Sequence, residues 1–245
     1  MIKLLVFDLD GTLVDSRQDL CNSVNFALKQ AAWPTLPLET VMGNVGNGAR
    51  NLLEDCLSAA MDVALGTAKG KARPTAEAVD SLYSVFMTHY HQHCLVETLL
   101  YPGAESVLRS LKGYRKAVLT NKPEKPARII LDGLQVASHF ELTVGGDTPY
   151  GKKPDPAGLR HILSALGASP DEAVMIGDGE QDAEAARNAG VRFIGFLSGI
   201  GSREVLLRTE PDAVIKDLAG LTQALSILEA LAADETVSAV HESPA

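Results

Sequence analysis

Apolar positions along this chain follow two different spacings. Residues 3–7 (KLLVF) form a short apolar run without polar alternation, the pattern of a strand buried on both faces. From Ser16 to about residue 96 the spacing becomes helical. Leu20, Val24, Ala27 and Leu28 share one helix face. Leu52, Leu53, Cys56 and Leu57 share a second, and Val79, Leu82, Tyr83, Phe86, Met87 and Tyr90 a third. Ser16 with Asp19 reads as a capping box that starts the first of these helices. Pro34 and Pro37 end it, and a short helix near Leu38 runs into GNVGNG at 43–48. The stretch GTAKGKARP at 66–74 reads as a loop, and nothing in this interval reads as a strand.

Past LLYPG at 99–103 the chain alternates. Helices are predicted over 104–111, 125–133, 156–166 and 181–189, the last stopped by Gly190. Strands are predicted over 116–119, 141–144, 173–176 and 192–196, with a short edge strand at 213–215. Strands and helices alternating at this length imply right-handed crossovers and a parallel sheet covered on both sides. The predicted fold is α/β: a Rossmann-like parallel sheet core with helices on both faces, plus an inserted α-helical domain. The core takes residues 1–15 and 99–231, the insertion 16–98. Residues 232–245 are small, acidic and unpatterned, and read as a flexible tail.

Bulk composition narrows the function. A chain of 245 residues with 46% hydrophobic residues can bury a sizeable core. A net charge of −9 argues against binding a nucleic-acid duplex, which needs a field of Lys and Arg. It leaves room for a small phosphorylated metabolite, held by a few local cations. Three scattered cysteines without a C-x-x-C spacing suit a reducing cytoplasm. Residues 1–10 carry charge too early for a signal peptide, and no stretch approaches the about 18 apolar residues of a membrane span. A monomer or a homodimer fits equally well.

Candidate chemistry collects at the ends of the buried strands. LLVF is followed by Asp8 and then Asp10, AVL by Thr120 and Asn121, and AVMIG by Asp178. In open parallel sheets ligands bind beyond the carboxyl ends of the strands, where the strand order switches. Lys152-Lys153-Pro154-Asp155-Pro156 adds a fourth piece before a helix. Two carboxylates two residues apart at a buried strand end are costly unless a cation lies between them, which points to a metal. Elsewhere, His89 and His93 are an i, i+4 pair without a third ligand at a motif spacing, and read as an exposed helix face. GNVGNG could offer backbone N–H groups to a ligand, and Arg50 just after it could meet a substrate carboxylate or simply be solvated.

DLDGTLVDS at 8–16, LTN at 119–121, KKPDP at 152–156 and GDGEQD at 177–182 resemble, in order, the four motifs of the haloacid dehalogenase-like superfamily of aspartate-dependent phosphohydrolases. Within it, GNGAR, YPG, VGGD and KKPDP resemble the phosphoglycolate phosphatase branch. Gly179 departs from a serine that relatives often carry. The resemblance implies a mobile cap in residues 16–98. It also implies a Mg²⁺ ion held by the Asp8 and Asp178 carboxylates and the Asp10 backbone carbonyl, with Asp182 a shell further out. Asp8 would be the nucleophile, forming an aspartyl phosphate, and Asp10 the general acid and base. Thr120 and Asn121 would donate to phosphoryl oxygens, Lys153 would neutralise developing charge, and Gly11 and Arg50 would complete the substrate site. The expected reaction is hydrolysis of a phosphomonoester, 2-phosphoglycolate first. A sugar phosphate is the alternative, as is binding of a phospho-ligand without turnover.

Overall fold

The computed structural model describes residues 1–241, with side chains up to residue 231. The chain opens with β1 (Leu4–Phe7) and a two-residue strand β2 (Val14–Asp15), then four helices. These are α1 (Arg17–Gln30), α2 (Leu38–Met42), α3 (Ala49–Leu65) and α4 (Ala76–His93). A second short strand, β3 (Leu99–Leu100), returns to pair antiparallel with β2. The chain therefore enters and leaves the helical layer side by side. From there α5 (Ala104–Ser110), β4 (Arg115–Leu119), α6 (Glu124–Gly133), β5 (Leu142–Val144), α7 (Ala157–Ala165) and β6 (Ala173–Gly177) follow. The remainder is α8 (Glu180–Ala189), β7 (Arg192–Phe196), α9 (Arg203–Arg208), β8 (Ala213–Ile215) and α10 (Leu221–His241).

Six parallel strands form the sheet in the order β5-β4-β1-β6-β7-β8. The first strand thus sits in the middle, at the switch in strand order. Its unbroken apolar run is explained by burial on both sides. Leu4 and Val6 pack with Leu159, Ile162, Ala183 and Ala186 of α7 and α8. Leu5 and Phe7 belong to the opposite core, with Val107, Ile130 and Leu225 of α5, α6 and α10. That second core continues without a break into the helical layer through Leu13, Leu20, Val24, Leu53, Leu82 and Phe86.

Two local expectations do not hold. The capping box at the start of α1 is absent, because both of its side chains bond elsewhere. Ser16 Oγ donates to Asp10 Oδ1 at 2.5 Å. The buried Asp19 carboxylate accepts from the N–H groups of Val96, Glu97 and Thr98 and from the Thr98 hydroxyl, at 2.8–3.0 Å. It thereby ties the first turn of α1 to the returning linker. The second difference concerns residues 232–241, read as part of a tail. They continue α10, a run rich in alanine with no glycine or proline to stop it. Residues 242–245 lie outside the described residues. Among the described residues no helix is long and apolar enough to cross a membrane.

Candidate active site

Asp8, Thr120 and Asp178 each follow the last residue of a parallel strand, β1, β4 and β6 respectively. Since β4 and β6 flank β1, the three side chains converge on one crevice. A cavity of about 100 Å³ lies there, between the strand ends and the helical layer. Asp8, Asp10, Thr120, Asn121, Lys153, Asp178 and Asp182 all line it.

Asp8 Oδ1 accepts from its neighbour's N–H, Leu9, at 2.7 Å and lies 2.8 Å from Lys153 Nζ. The same ammonium donates to Asp182 Oδ1 at 2.6 Å. Asp182 is fixed in turn by the Gly179 N–H on its other oxygen, at 3.0 Å. Asp178 is held from three sides. Thr12 Oγ1 donates to its Oδ1 at 3.1 Å, and the N–H groups of Ile200 and Gly201 donate to its Oδ2 at 2.7 and 2.8 Å. Gly11, with φ of +85°, comes so close that a Cβ there would overlap the Asp178 carboxylate. Glycine is therefore required at that position on both conformational and steric grounds.

Asp8, Asp178 and Asp182 place one carboxylate oxygen each within 4.8 Å of one another. The electrostatic result is strain on the anions. Burial, then Asp182, pushes the Asp8 pKa well above the usual carboxylate value, with Asp178 adding to the rise and Lys153 opposing it. Burial and Asp182 likewise raise Asp178 to about 6, against the pull of its three donors. For Lys153, burial alone would favour the neutral amine, but Asp182 and Asp8 outweigh it and hold the ammonium charged. One lysine does not neutralise three acids, two of them buried and the third nearly so. Oxygen donors from Asp8 and Asp178 beside an uncompensated negative charge suit a hard divalent cation.

The Asn121 side chain bridges two loops. Its Nδ2 donates to the Lys153 carbonyl at 2.9 Å and to the Gly46 carbonyl at 2.8 Å, while its Oδ1 accepts from the Lys153 N–H at 2.8 Å. The side-chain amide is thus occupied in holding the lysine and the 43–48 loop. That loop lines the cavity through Gly46 and Gly48, and Gln181 Nε2 donates to Asn47 at 3.1 Å. Arg50 is not brought to the cavity. It lies on an exposed face, 2.8 Å from Asp80. His89 and His93 stack with ring centroids 4.0 Å apart, so their nitrogens do not converge on a shared point.

Sequence reasoning missed Lys122 and Tyr90. Both are buried, and both line the cavity. Lys122 Nζ lies 3.1 Å from Asp10 Oδ1 and donates to Tyr90 Oη at 2.5 Å. Burial, then Asp10, keeps the Tyr90 phenol protonated far above its usual range. The signal for Lys122 was its place directly after Thr120-Asn121. Tyr90 gave none, since at its spacing it reads only as core. The Ser198–Gly201 loop that clamps Asp178 was also missed, although SGIGS after a strand carries a turn signature.

Comparison with known proteins agrees with this geometry. The family model for haloacid dehalogenase-like hydrolases matches residues 2–190. A phosphoglycolate phosphatase of Colwellia psychrerythraea is 40% identical over 199 residues, covering 80% of this chain and 85% of that one. One from Rhodospirillum rubrum is 38% identical over 223 residues, covering 90% of each. Among solved structures, one from Haemophilus somnus described as a predicted phosphoglycolate phosphatase superposes with a TM-score of 0.82 at 30% identity, covering 91% of this chain and 97% of that one. The chain belongs to the haloacid dehalogenase-like hydrolases, and within that family it is a phosphatase.

Proposed function

We propose that this enzyme hydrolyses a small phosphomonoester, 2-phosphoglycolate, to glycolate and phosphate, with Mg²⁺ as its cofactor. The observation that carries the reading is the pairing of two acids on one turn in unlike surroundings. Asp8 sits against Lys153 within the acidic cluster, while Asp10, two residues on, meets a hydroxyl and a different lysine, Lys122, in the space under the helical layer. An oxygen of Asp8 attacks phosphorus, and the bond from phosphorus to the bridging oxygen breaks. Asp10 gives that oxygen its proton, and glycolate leaves. Water then attacks the aspartyl phosphate while Asp10 takes its proton, which frees phosphate and restores Asp8.

Lys153 holds Asp8 ionised and in place and neutralises charge on the phosphoryl group. Thr120 contributes its hydroxyl to the phosphoryl oxygens, and Asn121 orients Lys153. The Asp8 and Asp178 carboxylates and the Asp10 carbonyl would hold Mg²⁺, with Asp182 acting through Lys153. When bound, the ion supplies positive charge that offsets the acidic cluster and the transferring group. The helical layer acts as a cap that excludes water and selects the leaving group. Three buried, unpaired cysteines suit the cytoplasm as the setting.

The test is phosphate release by the purified protein across a metabolite panel, with and without Mg²⁺. The highest kcat/KM is expected for 2-phosphoglycolate and only with the cation. Preference for a sugar phosphate would overturn the substrate, and no release from any phosphomonoester would overturn the reaction.

A further inference from the structure

Lys122 takes no part in the phosphoryl chemistry above. Two lysines line the cavity, and Lys153 is already shared by Asp8 and Asp182. The Lys122 side chain is only 3% exposed and reaches the other acid, Asp10. The cavity it lines is also bounded by Leu52 and Phe86, both apolar. Burying an ammonium in such a place costs stability unless a further anion or polar group meets it. Tyr90, from the helical layer, accepts one of its hydrogen bonds and keeps its own phenolic proton to donate.

The position of the pair defines what it can recognise. Asp10 must lie within hydrogen-bond reach of the bridging oxygen to protonate it. Lys122 Nζ is 3.1 Å from that same carboxylate. Substrate atoms one or two bonds past the bridging oxygen therefore lie beside the ammonium and the phenol. In 2-phosphoglycolate the carboxylate carbon is two bonds past that oxygen. Arg50, the other cation considered for this task, is paired with Asp80 outside the cavity.

We propose that Lys122 and Tyr90 form the subsite that binds the carboxylate of the leaving group and sets specificity for phosphoesters of 2-hydroxy acids. The proposal rests on the phosphoglycolate reading and adds to it the residues that read the acid. It also makes recognition a joint act of the sheet and the helical layer, since each contributes one donor.

The experiment compares 2-phosphoglycolate with ethyl phosphate, which has a methyl group in place of the carboxylate. Steady-state constants are measured for the wild type and for Lys122→Met, Lys122→Arg and Tyr90→Phe, each first checked for a native circular dichroism spectrum. The readout is the ratio of kcat/KM for the two substrates, which cancels any effect on Asp10 common to both. Lys122→Met should lower that ratio by at least about 30-fold, mostly through KM, and Tyr90→Phe by about 3- to 10-fold, with Lys122→Arg recovering part of the loss. A ratio unchanged in Lys122→Met, whether both rates fall together or neither does, would overturn the proposal. A wild type indifferent to the carboxylate would instead overturn the substrate reading, a distinguishable result.

Discussion

Lys153 Nζ lies 2.8 Å from Asp8 Oδ1, an ion pair buried where the central strand ends. The lysine arrives from a loop 145 positions later, and Asn121 fixes its backbone on both sides. The lysine opposes the rise in the Asp8 pKa that burial and the neighbouring Asp182 impose. Asp8→Asn keeps the shape and removes both the proposed nucleophile and one anion of the cluster. Turnover should fall by about three orders of magnitude or more. The cation-free protein should unfold at the same temperature as the wild type or higher, because like-charge repulsion is relieved. Phosphate release and thermal unfolding measure the two effects, and retained turnover would refute the nucleophile.

The acidic cluster also links stability to pH. Asp178 holds its proton more tightly folded, at about 6, than unfolded, at the usual carboxylate value of about 4. Its contribution to stability is therefore complete below about pH 4 and is lost as the pH rises through 6. For the cation-free protein the loss is on the order of 2–3 kcal/mol. A cation that binds the ionised pair only in the folded state restores it. Added Mg²⁺ should raise the melting temperature more at about pH 7.5 than at about pH 4.5. A shift no larger at the higher pH would count against the carboxylate site.

Asp19, in the first turn of α1, holds the returning linker with one buried carboxylate. Asp19→Ala leaves three N–H groups and a hydroxyl without that acceptor. The expected cost is about 3 kcal/mol, or roughly 6–12 °C in melting temperature for a chain of this size. Differential scanning calorimetry reads it, and a change under about 2 °C would mean that the linker is held by other means.

Arg50 provides a control for the site boundary. Its guanidinium is 42% exposed and pairs with exposed acids. Such pairs contribute little, so Arg50→Ala should change stability by under about 1 kcal/mol and kcat/KM for 2-phosphoglycolate by less than about 3-fold. A larger loss in kcat/KM would show that the arginine enters the cavity during turnover.

The sheet was legible because its four inner strands, β4, β1, β6 and β7, are short apolar runs closed by turns, and burial on both faces leaves that pattern nearly unmixed. The helical faces were legible because Leu53, Leu82 and Phe86 fall at helical spacing and are buried. The strand ends at Asp8, Thr120 and Asp178 could be placed together because a parallel sheet has one catalytic edge. What failed was local chemistry that depends on distant partners. Ser16 and Asp19 match a helix cap on spacing alone, yet each bonds to a segment the spacing cannot see. Arg50 and Lys122 are equally basic in the sequence, and only the packing separates the exposed one from the buried one. The Asn121 side-chain amide bonds to Gly46 and Lys153, partners that its place after Thr120 does not reveal.

The central place of β1 has a consequence for how the chain becomes an enzyme. Leu4 finds its neighbours at Arg115 and Ala173, so the strand that carries Asp8 gains its first partner about halfway along the chain and its second only some sixty residues later. The helices of residues 17–93 pack largely on one another and need no such wait. Contacts close in sequence form early, and distant strand pairings form late. The helical layer can therefore take shape on the ribosome first, and the edge that gathers Asp8, Thr120 and Asp178 is assembled last.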